Sequence, residues 1–277
     1  MSVARPTHGV VGLAILDVRR RPAHASEMGS QLLLGEVVRI TRRTAGGAWC
    51  LVRNETDGYR GWVRAWGLVE VPARRAASWR RKARARVARI WAEARSEPGR
   101  GGLVSPLVWG SVVIPGRAHG RYRQVELPDG RRGWTEAKTL SVGRRRAPAV
   151  HVRARDLLGA PYLWGGRTAA GIDCSGLSQL LMAEQGFLLP RDAADQERAS
   201  ARLTAGDVTR AGDLAFFGRK GRTAGHVGVL LGGGYYVHAR GIVRINSLDP
   251  DNALYDKELA AQFRAIRRPR SSSAKRV

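Results

Sequence analysis

Cysteine is nearly absent from this chain: two residues in 277, Cys50 and Cys174, far apart and unlike in context. A disulfide framework is therefore not expected, and the usage suits a reducing compartment. Acid is scarce too, with 23 Asp and Glu against 48 Lys and Arg, a net charge of +25. Long apolar runs are missing, and nothing approaches the roughly 18 residues a membrane span needs. The apolar run 10–16 is short and is followed by Arg19-Arg20-Arg21 instead of a small-residue cleavage site, so it reads as a first strand and not as a signal peptide. No His-Glu-x-x-His and no Cys-x-x-Cys occurs, so a zinc site lacks ligands at workable spacing. Gly232-Gly233-Gly234 has no Lys-Ser/Thr after it and is a tight turn, not a phosphate loop. The basic clusters at 80–89, 144–146 and 267–270 have no interleaved aromatics to stack bases, which argues against nucleic acid and for guanidinium groups spread over solvated faces.

What is present is a nucleophile set. Asp173-Cys174-Ser175-Gly176 opens the apolar run Leu177, Leu180, Leu181, the spacing of a helix with Cys174 in its first turn. A helix N-terminus carries partial positive charge and lowers a thiol's pKa. Fifty-two residues on, His226 stands in the alternating segment Gly225-His226-Val227-Gly228-Val229, and His238 ends the strand-like run Tyr235-Tyr236-Val237-His238. A thiol, a base and a group that orients the base are the parts of covalent catalysis. Each has a plainer alternative: a buried structural thiol for Cys174, a strand histidine held by a carbonyl for His226, a surface histidine for His238, and helix capping for Asp173.

The chain predicts an α+β fold in several parts. Residues 1–72 read as a small β-barrel, with strands over 10–16, 31–41, 48–52 and 61–63. Residues 73–98 read as a basic linker helix, and 99–143 as a second, shorter barrel, because Gly58-Tyr59-Arg60-Gly61-Trp62 is echoed by Gly130-Arg131-Arg132-Gly133-Trp134. Residues 144–270 place helices (150–158, 174–185) before strands (213–217, 226–231, 235–239, 243–246), an α+β layer. Residues 271–277 read as a disordered tail.

This third region resembles the NlpC-type cysteine peptidases, a papain-like family of cell-wall hydrolases. The resemblance rests on Tyr162-Leu163-Trp164-Gly165-Gly166, Asp173-Cys174-Ser175-Gly176, Leu189-Pro190-Arg191-Asp192 with Gln196, Gly212-Asp213-Leu214-Ala215-Phe216-Phe217, Gly225-His226-Val227-Gly228 and His238-Ala239, in order. The first region looks like a bacterial SH3 domain, and the whole arrangement is similar to cytosolic γ-D-glutamyl-L-diamino acid endopeptidases that recycle murein peptides. The resemblance implies Cys174 as nucleophile, His226 as base, His238 as its orienting partner and Tyr162 on the oxyanion. It implies Trp164 in the groove wall, Asp173, Glu36 and Tyr59 around the substrate's free amino end, Ser175 among the substrate-binding residues, and Arg191 with Asp192 near the D-Glu. Arg191 has a salt-bridged structural role as its alternative. Relatives commonly carry Ser where this chain has Ala193. No cofactor, metal or membrane is implied; the expected partner is a small murein peptide and the expected location cytoplasmic. Two further readings stay open: an exported or phage-delivered hydrolase of intact wall, and a non-catalytic module that binds a polyanion or protein.

Overall fold

The computed structural model describes residues 6–143, 147–204 and 206–270. The chain divides into two compact units between residues 146 and 147.

The first unit contains two copies of one strand plan. In the first copy, β1 (His8–Val11), β2 (Ile15–Arg19), β3 (Met28–Leu33), β4 (Val37–Arg43), β5 (Trp49–Asn54), β6 (Arg60–Arg64) and β7 (Leu68–Val71) pair in the order β3-β2-β6-β5-β4-β1-β7. After the helix α1 (Ala73–Lys82) come β8 (Ala85–Val87), β9 (Trp91–Glu97), β10 (Arg100–Val108), β11 (Val112–His119), β12 (Tyr122–Glu126), β13 (Arg132–Glu136) and β14 (Leu140–Val142). Their order, β10-β9-β13-β12-β11-β8-β14, is the first order moved on by seven strands. Each copy also has a short 3-10 turn before its last strand, Ala65–Gly67 and Ala137–Thr139. The expected duplication is thus present, as SH3-like sheets whose edge strands do not pair to close a barrel.

Two expectations need correction. The helix predicted over 73–98 stops at Lys82, and the segment after it supplies β8 and β9 of the second copy, which therefore starts near residue 85 and not 99. Pairing of β8 with β11 and β14 overrides the helical preference of an Arg- and Ala-rich run. The apolar runs 10–16 and 31–41 are each broken into two strands. At the second break Gly35 takes φ +84°, and a Cβ there would lie 1.9 Å from the Val112 carbonyl oxygen. Only glycine fits such a position.

That close approach is where the copies join. The Val112 N–H donates to the Leu34 carbonyl at 2.8 Å, and Leu34 packs into the second copy's core with Val87, Leu107 and Leu127. The Trp79 indole of α1 donates to the Gly35 carbonyl at 2.9 Å, and its ring joins Val10, Val37 and Val71 in a shared cluster. Each fully buried Val or Leu contributes about 1.5–3 kcal/mol, so this apolar seam outweighs the exposed ion pairs of the unit.

The second unit is a six-stranded antiparallel sheet with helices. Its elements are α2 (Val150–Arg155), β15 (Arg167–Thr168), β16 (Gly171–Ile172), α3 (Cys174–Glu184), α4 (Ala193–Ala199), β17 (Ala201–Arg202), β18 (Leu214–Phe217), β19 (His226–Gly232), β20 (Tyr235–Arg240), β21 (Ile242–Ser247), α5 (Lys257–Ala260) and β22 (Phe263–Arg268). The sheet order is β17-β22-β18-β19-β20-β21. All residues of α3 from Cys174 to Met182 are buried. Its Leu177, Leu180, Leu181 and Met182 are covered together with hydrogen-bonded Ser178 and Gln179, and α3 lies against β19 and β20. The predicted α+β layer is observed. The tail 271–277 lies outside the described residues.

Candidate active site

Cys174 is the first residue of α3, and Asp173 caps the helix, its Oδ1 accepting from the Gly176 N–H at 2.7 Å. Gly176 allows the helix start to sit tightly: a Cβ there would come within 2.3 Å of the Gly166 carbonyl. The Cys174 thiol is 7% exposed and receives the backbone N–H groups of Ser175 and Val227. Val227 follows His226 directly, so the sulfur lies at the His226 end of β19.

A line of hydrogen bonds runs away from His226. Its Nε2 is 2.9 Å from His238 Nδ1; His238 Nε2 is 2.8 Å from Asn246 Oδ1; Asn246 Nδ2 donates to the Leu254 carbonyl at 2.7 Å. The last bond fixes the amide, because a carbonyl can only accept. Asn246 Oδ1 must then accept, so His238 carries its proton on Nε2 and offers a lone pair at Nδ1. His226 must therefore carry its proton on Nε2. Its Nδ1 is left with a lone pair, the form required to take the thiol proton. The two rings meet edge-on at 89°, and Phe217 packs against His226.

Burial and the neighbouring Asp173 push the Cys174 thiol up to about 12. Burial, with the charges of His238, Arg240 and Arg244, pulls His226 down to about 3. Burial likewise lowers His238 to about 4, against the pull of Asn246. The expected lowering of the thiol by the helix terminus is present as two N–H donors on sulfur, but desolvation outweighs it. The resting pair is a neutral thiol beside a neutral imidazole. Tyr162, half-buried, is raised to about 12 by burial and by the charges of Cys174 and Asp173, so its hydroxyl keeps its proton near the nucleophile.

Asp173 is also the centre of a buried knot. Its carboxylate accepts from the Gly165 and Gly176 N–H groups, from Ser175 Oγ and from both Nη atoms of Arg191, at 2.6 to 3.2 Å. Arg191 is 2% exposed and donates also to Ser175 Oγ at 2.7 Å. The structure thus gives Arg191 its salt-bridged role: a fork that orders Asp173 and Ser175. Losing one partner of such a pair costs about 3–5 kcal/mol. Five donors fill the carboxylate, and the Ser175 hydroxyl, at 3.2 Å, is the longest of them. Gln196 ties α4 to this knot through the Ser175 and Pro190 carbonyls. Asp192 and Trp164 are exposed, and Ala193 is buried in the first turn of α4. Glu36 and Tyr59 belong to the first unit. There Glu36 Oε2 accepts from the Leu33 N–H at 3.1 Å, and the Tyr59 hydroxyl rests over Gly29, 2.2 Å from where a Cβ would be.

Asn246 is the functional residue that sequence reasoning missed. Its signal was the hairpin register: His238 pairs with Arg244, which puts Asn246 on the face of the sheet that carries His238. Among the described residues no group of three or more His, Cys, Asp or Glu is placed to hold a metal, and no helix is long and apolar enough to cross a membrane.

The model of the NlpC/P60 family matches residues 159–264, a span that contains Tyr162, Cys174, His226, His238 and Asn246. The catalytic unit is an NlpC/P60 domain. The model of the bacterial dipeptidyl-peptidase SH3 domain matches residues 18–68. The chain is 34% identical over 150 residues to the γ-D-glutamyl-L-lysine dipeptidyl-peptidase of Bacillus subtilis, covering 52% of this chain and 50% of the relative. It is 38% identical over 116 residues to dipeptidyl-peptidase 6 of Lysinibacillus sphaericus, covering 41% of each. The chain thus spans about half the length, or less, of these curated relatives. A crystal structure of an NlpC/P60 family protein from Bacillus cereus shares the fold, with a TM-score of 0.81 at 19% identity over 95% of this chain and 99% of that one. The second unit thus carries an NlpC/P60 match around the thiol and imidazole set of a cysteine peptidase.

Proposed function

We propose that this peptidase hydrolyses the γ-D-glutamyl–L-diamino acid bond of small murein peptides that carry a free N-terminal L-Ala, and that it does so in the cytoplasm, in murein peptide recycling. The observation that carries the chemistry is the line from Leu254 through Asn246 and His238 to His226, which leaves His226 Nδ1 as a base at the nucleophile. The substrate choice draws its support from the match of residues 18–68 to the dipeptidyl-peptidase SH3 domain and from the likeness to the named dipeptidyl-peptidases.

Each step follows from the resting state. As Cys174 Sγ bonds to the carbonyl carbon, the thiol proton passes to His226 Nδ1, so no free thiolate accumulates beforehand. The imidazolium that forms donates from Nε2 to His238, which holds it in place. The oxyanion takes the Cys174 N–H at the open start of α3 and the protonated Tyr162 hydroxyl. When the C–N bond breaks, His226 returns its proton to the leaving amine. A thioester remains, and water activated by His226 hydrolyses it. At the substrate's other end, its ammonium group is met by the Asp173 carboxylate, and a blocked amine loses that charge-assisted contact.

Incubation with L-Ala-γ-D-Glu-L-Lys, read by chromatography, is expected to release L-Ala-D-Glu. Turnover that survives Cys174→Ala would refute the proposal. The net charge of +25 favours a second reading, attraction to anionic wall polymers. Activity on intact sacculi equal to that on the free tripeptide would support that reading instead.

A further inference from the structure

Catalysis requires His226 to hand a proton to the departing amine, so the residue that leaves must lie against this imidazole. A cavity of about 230 Å³ opens at that place, lined by Tyr162, His226, Arg240, Gly241, Leu259 and Gln262. Pockets for drug-sized ligands start at about 300 Å³, so this one is on the scale of a single residue. Its wall is apolar at Leu259 and aromatic at Tyr162. Its donors are the Gln262 amide and the Arg240 guanidinium.

Arg240 lies two residues past His238, on the same face of β20. Its guanidinium is held by Asp256 at 3.0 Å and by Glu258 at 2.9 Å. These partners are not equivalent. Asp256 also binds Arg244 at 3.2 Å and caps α5 by accepting from the Leu259 N–H at 3.0 Å, so it is committed to the fold. The Glu258 side chain is 79% exposed and makes no second ion pair among the described residues. An exposed pair of this kind contributes little, so a carboxylate arriving in the cavity can take the place of Glu258 on the guanidinium. Planar two-point contact with a carboxylate is what guanidinium geometry favours.

We propose that this cavity is the subsite for the leaving residue, and that Arg240 recognises its free carboxylate. The substrate class is then a short peptide that ends at the leaving residue as a free acid, in preference to one that is amidated or extended there. The proposal rests on the peptidase reading above and narrows it.

The test uses L-Ala-γ-D-Glu-L-Lys and its C-terminal amide as probes. Binding is measured by calorimetry on Cys174→Ala protein, and kcat and KM on the active protein. The free acid is expected to bind about tenfold more tightly than the amide, the scale of one charge-assisted contact, with the difference in KM and not in kcat. Arg240→Ala is expected to bring the two peptides within twofold of each other by weakening only the acid. Glu258→Gln, which removes the competitor, is expected to strengthen binding of the acid and leave the amide unchanged, the opposite of what loss of a structural ion pair would do. Equal binding of acid and amide by the parent protein, or a preference that persists in Arg240→Ala, overturns the subsite while leaving the peptidase reading intact. Binding of neither peptide by folded Cys174→Ala protein defeats both.

Discussion

The two SH3-like copies share a turn as well as a strand order. In the first, Leu33-Leu34-Gly35-Glu36 closes with the Leu33 N–H on the Glu36 carboxylate at 3.1 Å; in the second, Val108-Trp109-Gly110-Ser111 closes with the Val108 N–H on the Ser111 hydroxyl at 3.2 Å. Both glycines take positive φ, +84° and +96°. The turn needs an acceptor in its fourth position, and a hydroxyl meets that need as well as a carboxylate does. The turn itself therefore calls for an acceptor and not for a negative charge. The copies differ again at the aligned pair Tyr59 and Arg131, each preceded by a glycine of positive φ, Gly58 and Gly130. The two copies keep one scaffold and differ in chemistry: the first has an acid and a phenol where the second has a hydroxyl and a guanidinium.

The largest expected effect breaks the seam that joins the copies. Gly35→Ala forces a left-handed alanine against the Val112 carbonyl and should cost about 3 kcal/mol in chemical denaturation. A loss under about 1 kcal/mol would show that the second copy is not mounted on that turn. Next in size is the contrast between Glu36→Ala and Ser111→Ala. Each should cost about 1 kcal/mol in chemical denaturation through the lost turn acceptor. A loss in only one of the two variants would show that the turns are not held in the same way.

A smaller effect separates the catalytic unit from the copies. His226 and His238 are held near 3 and 4 in the folded state, below their ordinary value of 6.5. The unfolded chain therefore takes up protons that the folded chain refuses as pH falls below about 6.5, and stability drops between there and about 4. Calorimetry from pH 7 to 4.5 should show the midpoint of the catalytic unit falling, and His238→Asn should flatten the slope. An unchanged slope would mean that these rings are not held neutral.

The catalytic centre was legible because its chemistry is written locally: an acid that caps a helix stands beside the thiol, and each histidine sits in an alternating strand. Asn246 was not legible, since its role comes from a register that only the folded hairpin sets. The run 85–97 was misread for a related reason. Ala92 and Ala94 are buried while Glu93 and Arg95 are not, a strand alternation hidden under a helical composition. Arg191 could be read as a salt-bridged residue from its motif, but the fork onto Asp173 is a long-range contact that spacing does not show.

Asn246 hands its last hydrogen bond to Leu254, whose side chain is 45% exposed. Because that acceptor is main chain, exchanging the leucine cannot erase it. Drift at this surface position is tolerated, whereas an insertion or deletion between residues 248 and 255 would displace the oxygen and let both imidazoles swap tautomers. The rate of the enzyme is thus guarded by the length of a loop and not by the spelling of it.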